Sequence, residues 1–491
     1  MIAARREPAA ALLLIAFGVL WAIRCVIAES PSSLHQDMLE AYIWGQEFQL
    51  GYNQHPPFWA WMCGLWFAVF PRSDASFAVF SALNSTLGLW GAWKLVGRFA
   101  RGDERVAAMA LLVLTPFYTF HAYKYNANSI FVSVWPWALY FYDRTVERRR
   151  IRDALALGLF VAAALLSKYF ALILVATMLI AALTRPDRKT LLASPAPYVA
   201  AAFAAALIAP HIVWLVVHKA PPLRYLGTVS GLGPLEALNN MQMTLFGDLA
   251  DLAAPIALVA WFGAGKLRDR PRRIAQRWRE PRFRELTILA FAPLALALAA
   301  ALVMQVKLAA VMLIGAFPLA PLWFLQSAEP ADPRLFTRVT MRLAAALMIG
   351  ALAVAPGLAY WNAWRYDNPR YVNPQREIAA AATEFWRETT GLPLVYVAGT
   401  RFYDDATAFY GADKAHGFTG FERERCPWVT PEKLAASGLL AVCVSHDAHC
   451  LDEAERYGNR KAKRTEITVA HTALGHTWPA ENFTVIAIPP Q

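Results

Sequence analysis

The sequence predicts an α-helical membrane protein that crosses the bilayer many times and carries a small α/β domain at its C-terminal end. Of its 491 residues, 57% are hydrophobic and 17% are charged, and the mean hydropathy is +0.33. A soluble domain carries about 25% charged residues. The charges here fall in short clusters between long apolar runs, which is the pattern of a chain solvated by lipid.

About eleven apolar runs have a length that suits a hydrocarbon core about 30 Å thick. They are residues 9–28, 75–97, 105–121, 129–142, 153–168, 169–184, 195–217, 250–265, 285–303, 308–326 and 339–361. The first run follows a short basic segment with Arg5 and Arg6, and no small-residue cleavage site clearly follows it. We therefore expect a retained first helix with its N-terminus in the cytoplasm.

A further apolar run, residues 56–71, decides the predicted topology. If this run crossed the membrane, the basic clusters would lie outside, against the positive-inside rule. These clusters are residues 98–105, 148–150, 185–189 and 266–284. If the run instead lies along or dips into the outer face, every cluster is cytoplasmic. We adopt this arrangement, in which residues 29–74 form one outer loop with surface-lying helices, and residues 122–128, 218–249 and the tail also face outward.

The net charge of +11 has two readings, nucleic-acid binding and membrane topology. Because the basic residues lie in short segments flanked by apolar spans, positive-inside sorting accounts for them, and no nucleic-acid partner is expected. The chain contains no Walker A, G-x-G-x-x-G or H-E-x-x-H pattern. An ATP-driven pump, a soluble nucleotide-sugar donor and a metal site of that type are therefore not expected.

The tail changes character from about residue 363. Residues 378–388 are predicted to form an amphipathic helix, and residues 392–397 and 485–488 to form buried strands. We therefore expect a transmembrane domain followed by a small α/β domain on the outer, periplasmic side of a bacterial inner membrane. The predicted domains are residues 1–362 and 363–491.

The tail also contains three of the five cysteines, Cys426, Cys443 and Cys450. Outside the cytoplasm, three clustered cysteines favour one disulfide and one remaining thiol, with a zinc site as the alternative. Their spacing does not decide which two would pair.

The first predicted outer loop holds the main candidate for chemistry. Asp37 and Glu40 are three residues apart and share one face if the segment is helical. Two carboxylates beside a membrane are costly unless they are solvated, paired or used. A solvated helix face is the alternative. His55-Pro56-Pro57 follows, which is a rigid turn suited to starting the next helix.

The spacing from Asp37 to Gly51-Tyr52 and His55-Pro56-Pro57 resembles the GT-C superfamily of glycosyltransferases. It is most similar to the branch of protein O-mannosyltransferases and aminoarabinose transferases, over roughly residues 10–230. In that branch an acidic pair, usually Asp-Glu, opens the first outer loop, and Gly-Tyr and His-Pro-Pro follow. The resemblance implies a GT-C fold with Asp37 as the catalytic aspartate and Tyr52 and His55 as substrate-binding residues. The second acidic position is Met38 in this chain, so Glu40 is the candidate substitute on the same face.

The second outer loop supplies Lys124, Asn126 and Asn128 as substrate-binding candidates. Many relatives have Pro-Asp near this point, where this chain has amides. Asparagine side chains can hydrogen-bond a sugar hydroxyl or orient Asp37. The alternative is an ordinary polar turn between two spans.

Further candidates lie at the outer ends of later spans. A cation there can receive the phosphate of a lipid carrier, although snorkelling to lipid headgroups is the alternative for a lysine. By resemblance to the same branch, the candidates are Lys168, Tyr169, Trp214, His218, Lys219 and Arg224.

The predicted activity is transfer of a sugar from a polyprenyl (undecaprenyl) phosphate carrier to a lipid, glycan or protein acceptor at the periplasmic face. Asp37 would act as the general base, because a hydroxyl is a poor nucleophile at its own pKa. The resemblance implies inversion at the anomeric carbon. A monomer is expected, and no obligatory metal or other cofactor follows from the sequence.

Two other classes share these features. A transporter or lipid flippase also has many spans and buried polar residues, but we find no repeat and no matched pair of broken helices. A non-catalytic accessory subunit would keep the fold and lose an acidic residue, as at Met38.

Overall fold

The computed structural model describes residues 2–228, 231–263, 270–365 and 369–491. The chain divides into two compact units. Unit 1 comprises Met1–Ala22, Gln54–Trp59 and Val79–Leu352, and unit 2 comprises Ile23–Asn53, Ala60–Ala78 and Ala353–Gln491. The domain boundary at residue 363 stays a prediction. Lys266 and Arg268 of the last basic cluster lie outside the described residues.

The first three quarters of the chain are helical. The helices are α1 (Ile2–Ala28), α2 (Gln36–Glu47), α3 (Phe58–Val69), α4 (Asp74–Val96), α5 (Gly102–Val113), α6 (Phe131–Arg148), α7 (Ile151–Leu165), α8 (Leu172–Leu183), α9 (Arg188–Leu192), α10 (Ala196–Val217), α11 (Pro221–Thr228), α12 (Pro234–Asp251), α13 (Ala253–Phe262), α14 (Arg270–Arg277), α15 (Pro281–Met304), α16 (Ala320–Ala328) and α17 (Pro333–Arg365).

Within the described ranges, four helices are long and apolar enough to cross a membrane. They are Ala10–Ala28, Ala196–Val217, Pro281–Met304 and Pro333–Arg365. Two bent pairs, Gly102–Val113 with Pro116–Tyr123 and Pro234–Asp251 with Ala253–Phe262, raise the number to six if each counts as one span. The predicted number of about eleven is not reached by these criteria. Much of the apolar sequence folds into shorter helices, such as α7 with 15 residues and α8 with 12.

Helix α12 lies mostly within residues 218–249, the segment that the sequence predicts to face outward, and its side of the membrane stays a prediction. Polar residues occur along this helix. Two of them bind another segment of unit 1: the Asn240 side chain accepts from Leu308 N at 2.7 Å, and Thr244 Oγ1 donates to Leu308 O at 3.0 Å. These two polar side chains of α12 therefore supply hydrogen bonds to the backbone N–H and C=O groups of a neighbouring segment.

The C-terminal part of unit 2 is an α/β structure. Its elements are α18 (Pro369–Val372), α19 (Gln375–Thr390), β1 (Tyr396–Gly399), α20 (Tyr403–Tyr410), β2 (His416–Gly417), α21 (Pro431–Ser437), β3 (Leu439–Val444), α22 (Ala448–Tyr457), β4 (Lys463–Val469), β5 (Thr472–Ala473), β6 (His476–Thr477) and β7 (Glu481–Ile488). The main sheet has the order β2-β1-β3-β7-β4. Strand β1 runs parallel to β2 and β3, whereas β7 runs antiparallel to β3 and β4.

The predicted amphipathic helix is confirmed by α19, and the predicted strand at 485–488 lies within β7. The strand predicted at 392–397 begins only at Tyr396. Gly391, in the left-handed conformation, ends α19, and Pro393 follows it, a residue that cannot donate to a sheet. Cys443 and Cys450 form a disulfide, while Cys426 is buried as a free thiol. The predicted combination of one bond and one remaining thiol is confirmed.

Unit 2 joins the first-loop helices to the tail. Tyr42 of α2 packs edge-on against Phe67 of α3 at 5.5 Å and against Phe409 of α20 at 5.0 Å between ring centroids. Gly45 allows α2 and α3 to cross closely, since a Cβ there would lie 2.6 Å from the backbone nitrogen of Gly64. The parts of the first loop that belong to unit 2 therefore pack in one core with α20 of the tail.

Polar contacts strengthen this union. The Arg72 guanidinium donates to the backbone oxygens of Ala408 and Gly411, each at 2.8 Å. At the start of the loop, Arg370 Nη2 lies 3.0 Å from Glu29 Oε2. The loop is thus bound to the tail near both of its ends, which fixes α2 between them.

Candidate functional site

Asp37 stands in the first turn of α2. The His35 side chain caps this helix, because its Nδ1 accepts a hydrogen bond from the Asp37 backbone N–H at 3.1 Å. A carboxylate in the first turn also interacts favourably with the helix dipole. The Asp37 side chain is 29% exposed. It is therefore a carboxylate on a capped turn with solvent access.

Glu40, one turn further along α2, is held very differently. Its Oε1 lies 2.5 Å from Nη2 of Arg425, and the two side chains are 16% and 5% exposed. Burial raises the pKa of Glu40 to about 7, an effect larger than the lowering by Arg425, and the negative charge of Asp37 raises it further. The sequence places Glu40 on the same face as Asp37, and the structure adds the arginine.

Arg425 also lies near a buried acidic pair of α20. Asp405 Oδ1 accepts from the Thr419 hydroxyl at 2.6 Å, and Asp404 Oδ2 accepts from Gly420 N at 2.7 Å. Burial raises the pKa of both carboxyls, and the Arg425 charge opposes that rise. One arginine is therefore shared by several acids in the interior of unit 2.

Tyr52 is buried in unit 2, stacked on Trp44 with ring centroids 4.8 Å apart. Its hydroxyl donates to the backbone oxygen of Trp44 at 2.6 Å. The residue thus supports the end of α2 from inside the core. A role in binding substrate stays a prediction for Tyr52.

Within unit 1, the His-Pro-Pro turn starts α3, as its rigidity predicts. Helix α3 begins at Phe58, whose backbone N–H donates to Leu166 O at 2.8 Å. The His55 ring is half-buried and lies 5.9 Å from the Trp59 ring, in an edge-on arrangement. The turn therefore binds directly to the chain just before Lys168.

Lys168 and Asn128 are brought together in unit 1. Lys168 Nζ donates to Asn128 Oδ1 at 2.7 Å. Asn126 shapes the same turn, because its Oδ1 accepts from the backbone N–H groups of Asn128 and Ser129 at 2.9 and 3.0 Å. Lys124 is half-buried at the start of this turn. The predicted polar turn is thus also the element that positions a lysine ammonium group.

A column of rings lies on one face of α10. The Tyr169 hydroxyl lies 2.8 Å from His211 Nε2, and the rings of His211, Trp214 and His218 stack in series with centroids 5.9 and 4.7 Å apart. His218 Nδ1 contacts Trp214 O at 2.9 Å. Trp214 is only 7% exposed, so it is an internal member of the stack.

Lys219 and Arg224 lie at the end of this region. Both side chains are exposed, and the backbone turns at Lys219 and Ala220, which have φ values of 57° and 49°. Neither side chain forms an ion pair with another described residue. They are thus cations at a helix end that remain accessible to an anion.

Sequence reasoning missed two residues of these sites. His211 carried a readable signal, since residues 211, 214 and 218 repeat at the spacing of one helix face. Arg425 carried none, because it lies 385 positions from Glu40.

The fold and these sites define a polytopic helical membrane protein with two carboxylates on the helix α2 and a small α/β tail. Comparison with solved structures identifies the fold. The structure of ArnT from Cupriavidus metallidurans bound to undecaprenyl phosphate matches with a TM-score of 0.60, over 98% of this chain and 99% of that one, at 14% identity. The apo structure of ArnT matches with a TM-score of 0.59. The predicted GT-C fold is confirmed.

Sequence comparisons point the same way. Residues 54–214 match the family of dolichyl-phosphate-mannose-protein mannosyltransferases. Over 220 residues, the chain is 30% identical to the lipopolysaccharide core galacturonosyltransferase RgtA of Rhizobium johnstonii, covering 43% of each protein. The chain thus spans less than half the length of this relative. The resemblance to GT-C transferases is confirmed, and the family match begins after Asp37 and Glu40.

Proposed function

We propose that this protein transfers a sugar from a polyprenyl-phosphate carrier to a hydroxyl group of a lipid, glycan or protein acceptor at the outer face of a bacterial inner membrane. The observation that carries this proposal is the pair of unlike carboxylates on α2. Glu40 lies 2.5 Å from Arg425 and is 16% exposed, whereas Asp37 lies 3.5 Å from His35 Nδ1 and is 29% exposed on a capped turn. Asp37 therefore has the access that a general base needs.

In the proposed reaction, the acceptor oxygen attacks the anomeric carbon and Asp37 takes the hydroxyl proton. The bond between that carbon and the phosphate oxygen breaks, and the lipid phosphate leaves with the electron pair. A single displacement of this kind inverts the anomeric centre. General-base catalysis of this kind contributes about 10²–10⁴ in rate.

The leaving phosphate needs positive charge. Lys168 is the first candidate for binding this phosphate, because its ammonium group is positioned by a hydrogen bond of 2.7 Å to Asn128 Oδ1. Lys219, Arg224 and His218 are the other candidates at the end of α10. The undecaprenyl phosphate in the ArnT structure supports a polyprenyl-phosphate donor. The similarity to RgtA, a lipopolysaccharide core galacturonosyltransferase, supports testing galacturonic acid first as the sugar and lipopolysaccharide core first as the acceptor.

The remaining parts of the proposal follow the predicted topology. The N-terminus is cytoplasmic and the tail is periplasmic, the protein acts as a monomer, and the displacement uses no obligatory cofactor.

The test is sugar transfer from labelled polyprenyl-phosphate sugars by purified protein in lipid vesicles. For Asp37→Asn we expect kcat to fall by about 10²–10⁴ with the donor KM little changed, because only proton transfer is lost. Asp452→Asn, at an exposed position of α22, is the matched control and should keep full activity. Full activity of Asp37→Asn at normal expression would exclude Asp37 as the base.

A further inference from the structure

The tail forms an ion pair with α2 one turn from Asp37. Arg425, in the segment between β2 and α21, is 5% exposed and lies 2.5 Å from Glu40. Glu40 is the residue that shares a helix face with Asp37 one turn away. The contact therefore acts on the turn that presents the candidate base.

Other contacts already bind the first loop to the tail. Arg370 reaches Glu29 at 3.0 Å, and the Arg72 guanidinium reaches three backbone oxygens of the tail. These contacts hold the ends of the loop. Within α2, Tyr42 packs on Phe409 and Glu47 pairs with His416. The Arg425 contact adds an ion pair at Glu40, one turn from Asp37.

The charge around Arg425 is predominantly negative. Glu40, Asp405 and Glu422 all act on the arginine, and Asp37 and Asp405 act on Glu40. A buried ion pair that loses one partner leaves an uncompensated charge, which is strongly unfavourable. Without Arg425, Glu40 would keep its proton to higher pH or would repel Asp37.

The ion pair also bears on Glu40 itself. Arg425 Nη2 holds Oε1 of Glu40 at 2.5 Å in the interior of unit 2. The role of Glu40 as a substitute for the acid missing at Met38 stays a prediction, and the ion pair gives this residue a structural role at the α2 turn.

We propose that Arg425 is a positioning residue for Asp37, acting through its buried ion pair with Glu40. The pair fixes the α2 turn and keeps a compensated charge beside the candidate base. Through Arg425, the tail thereby contributes a positioning residue to the proposed reaction. This inference rests on the proposed function, because it takes Asp37 to be the base.

The primary test compares Arg425→Gln with Arg370→Gln, which removes a half-buried ion pair between loop and tail at another place. For Arg425→Gln we expect kcat to fall by about 10- to 100-fold with the donor KM within about twofold, as for loss of alignment at the reacting centre. For Arg370→Gln we expect kcat within about twofold of wild type. Equal losses of kcat in the two variants would overturn the proposal, since Arg425 would then serve folding alone.

A double variant separates the pair from other roles of the arginine. We expect kcat of Glu40→Gln/Arg425→Gln to equal that of Glu40→Gln alone, because the arginine acts through Glu40. Independent, multiplicative losses would overturn the proposal. Arg425→Lys keeps the charge and, if Arg425→Gln fails to fold, replaces it in the same comparison.

The pH profile of kcat is a readout that a merely structural role would not move. Glu40 is faced by Arg425 from the tail, by Asp37 on its own helix and by Asp405 of α20. In Arg425→Gln the acidic limb should move to higher pH, and in the double variant this shift should disappear. An unmoved limb in Arg425→Gln would contradict the proposal. Failure of the proposed function has a different signature, full activity of Asp37→Asn.

Discussion

Unit 2 and unit 1 hold their candidate functional charges in different ways. In unit 2, Glu40, Asp404 and Asp405 are carboxyls whose pKa values are raised by burial, and they share Arg425. In unit 1, Lys168 is held by the neutral amide of Asn128. Carboxyls whose pKa values are raised by burial hold their protons to higher pH than ordinary carboxyls, whereas the Lys168 ammonium group is held by a hydrogen bond to an uncharged amide.

The difference predicts which measurement responds in each unit. Substitutions at the carboxylates of unit 2 should change kcat and the pH dependence. Substitutions at the cations and rings of unit 1 should change the affinity for the lipid-phosphate donor.

The largest of these further effects is expected at Glu40, in the pH dependence of stability. Its folded pKa of about 7 lies above the ordinary value of 4.5, so its contribution to stability is present below about pH 4.5 and is lost as pH rises through about 7. The shift corresponds to about 3 kcal/mol at most. The free energy of unfolding of Glu40→Gln should therefore not show this decrease with rising pH. Its Tm should fall less than that of wild type between pH 5 and pH 8.

Thermal unfolding of both proteins at several pH values checks this expectation. Glu453→Gln is a matched control, because Glu453 is 18% exposed, nearly as little as Glu40, and forms an ion pair with the exposed Arg456 of its own helix α22. Its pH dependence should follow that of wild type. Identical pH dependence of Glu40→Gln and wild type would show that Glu40 is not the buried acid described here.

A smaller effect is expected at Lys168 in unit 1, on the affinity for the lipid-phosphate donor. Lys168→Ala should raise the donor KM by about 10- to 100-fold, the value of one charge-assisted hydrogen bond to a phosphate, with a smaller change in kcat. Lys168→Arg should recover part of the affinity. Lys189→Ala, at an exposed position of α9, is the control. Unchanged donor affinity in Lys168→Ala would place the phosphate elsewhere.

The smallest effect is expected at Tyr169. Tyr169→Phe removes the hydroxyl that lies 2.8 Å from His211 Nε2, and it should lower the free energy of unfolding by about 1 kcal/mol. Tyr198→Phe is the control, because the Tyr198 side chain of α10 is 60% exposed. Thermal unfolding compares the two. The same Tm in both variants would mean that the ring column does not depend on this hydrogen bond.

Local patterns in the sequence were sufficient for many features. The apolar runs gave helices, and the periodicity of residues 378–388 gave α19. The spacing of Asp37 and Glu40 put them on one helix, and the Pro56-Pro57 turn gave the start of α3 at Phe58. Hydrophobic period and turn chemistry act over a few residues, so a short window of sequence contains them.

Only the tertiary structure decided the rest. The number of full-length spans depends on where apolar runs break, as at the bend between α12 and α13. The choice of Cys443 and Cys450 as partners depends on the path from β3 into α22. Both follow from packing between segments, which no single window contains.

The two carboxylates of α2 show this division most clearly. The sequence by itself determined that Asp37 and Glu40 lie one turn apart and that they are the acids to consider. The tertiary structure decided that they differ, because the tail brings Arg425 from 385 positions away to Glu40 and leaves Asp37 on a capped turn with solvent access. Helix periodicity is a local property of the chain, whereas a buried ion pair exists only where the packing of distant segments makes it.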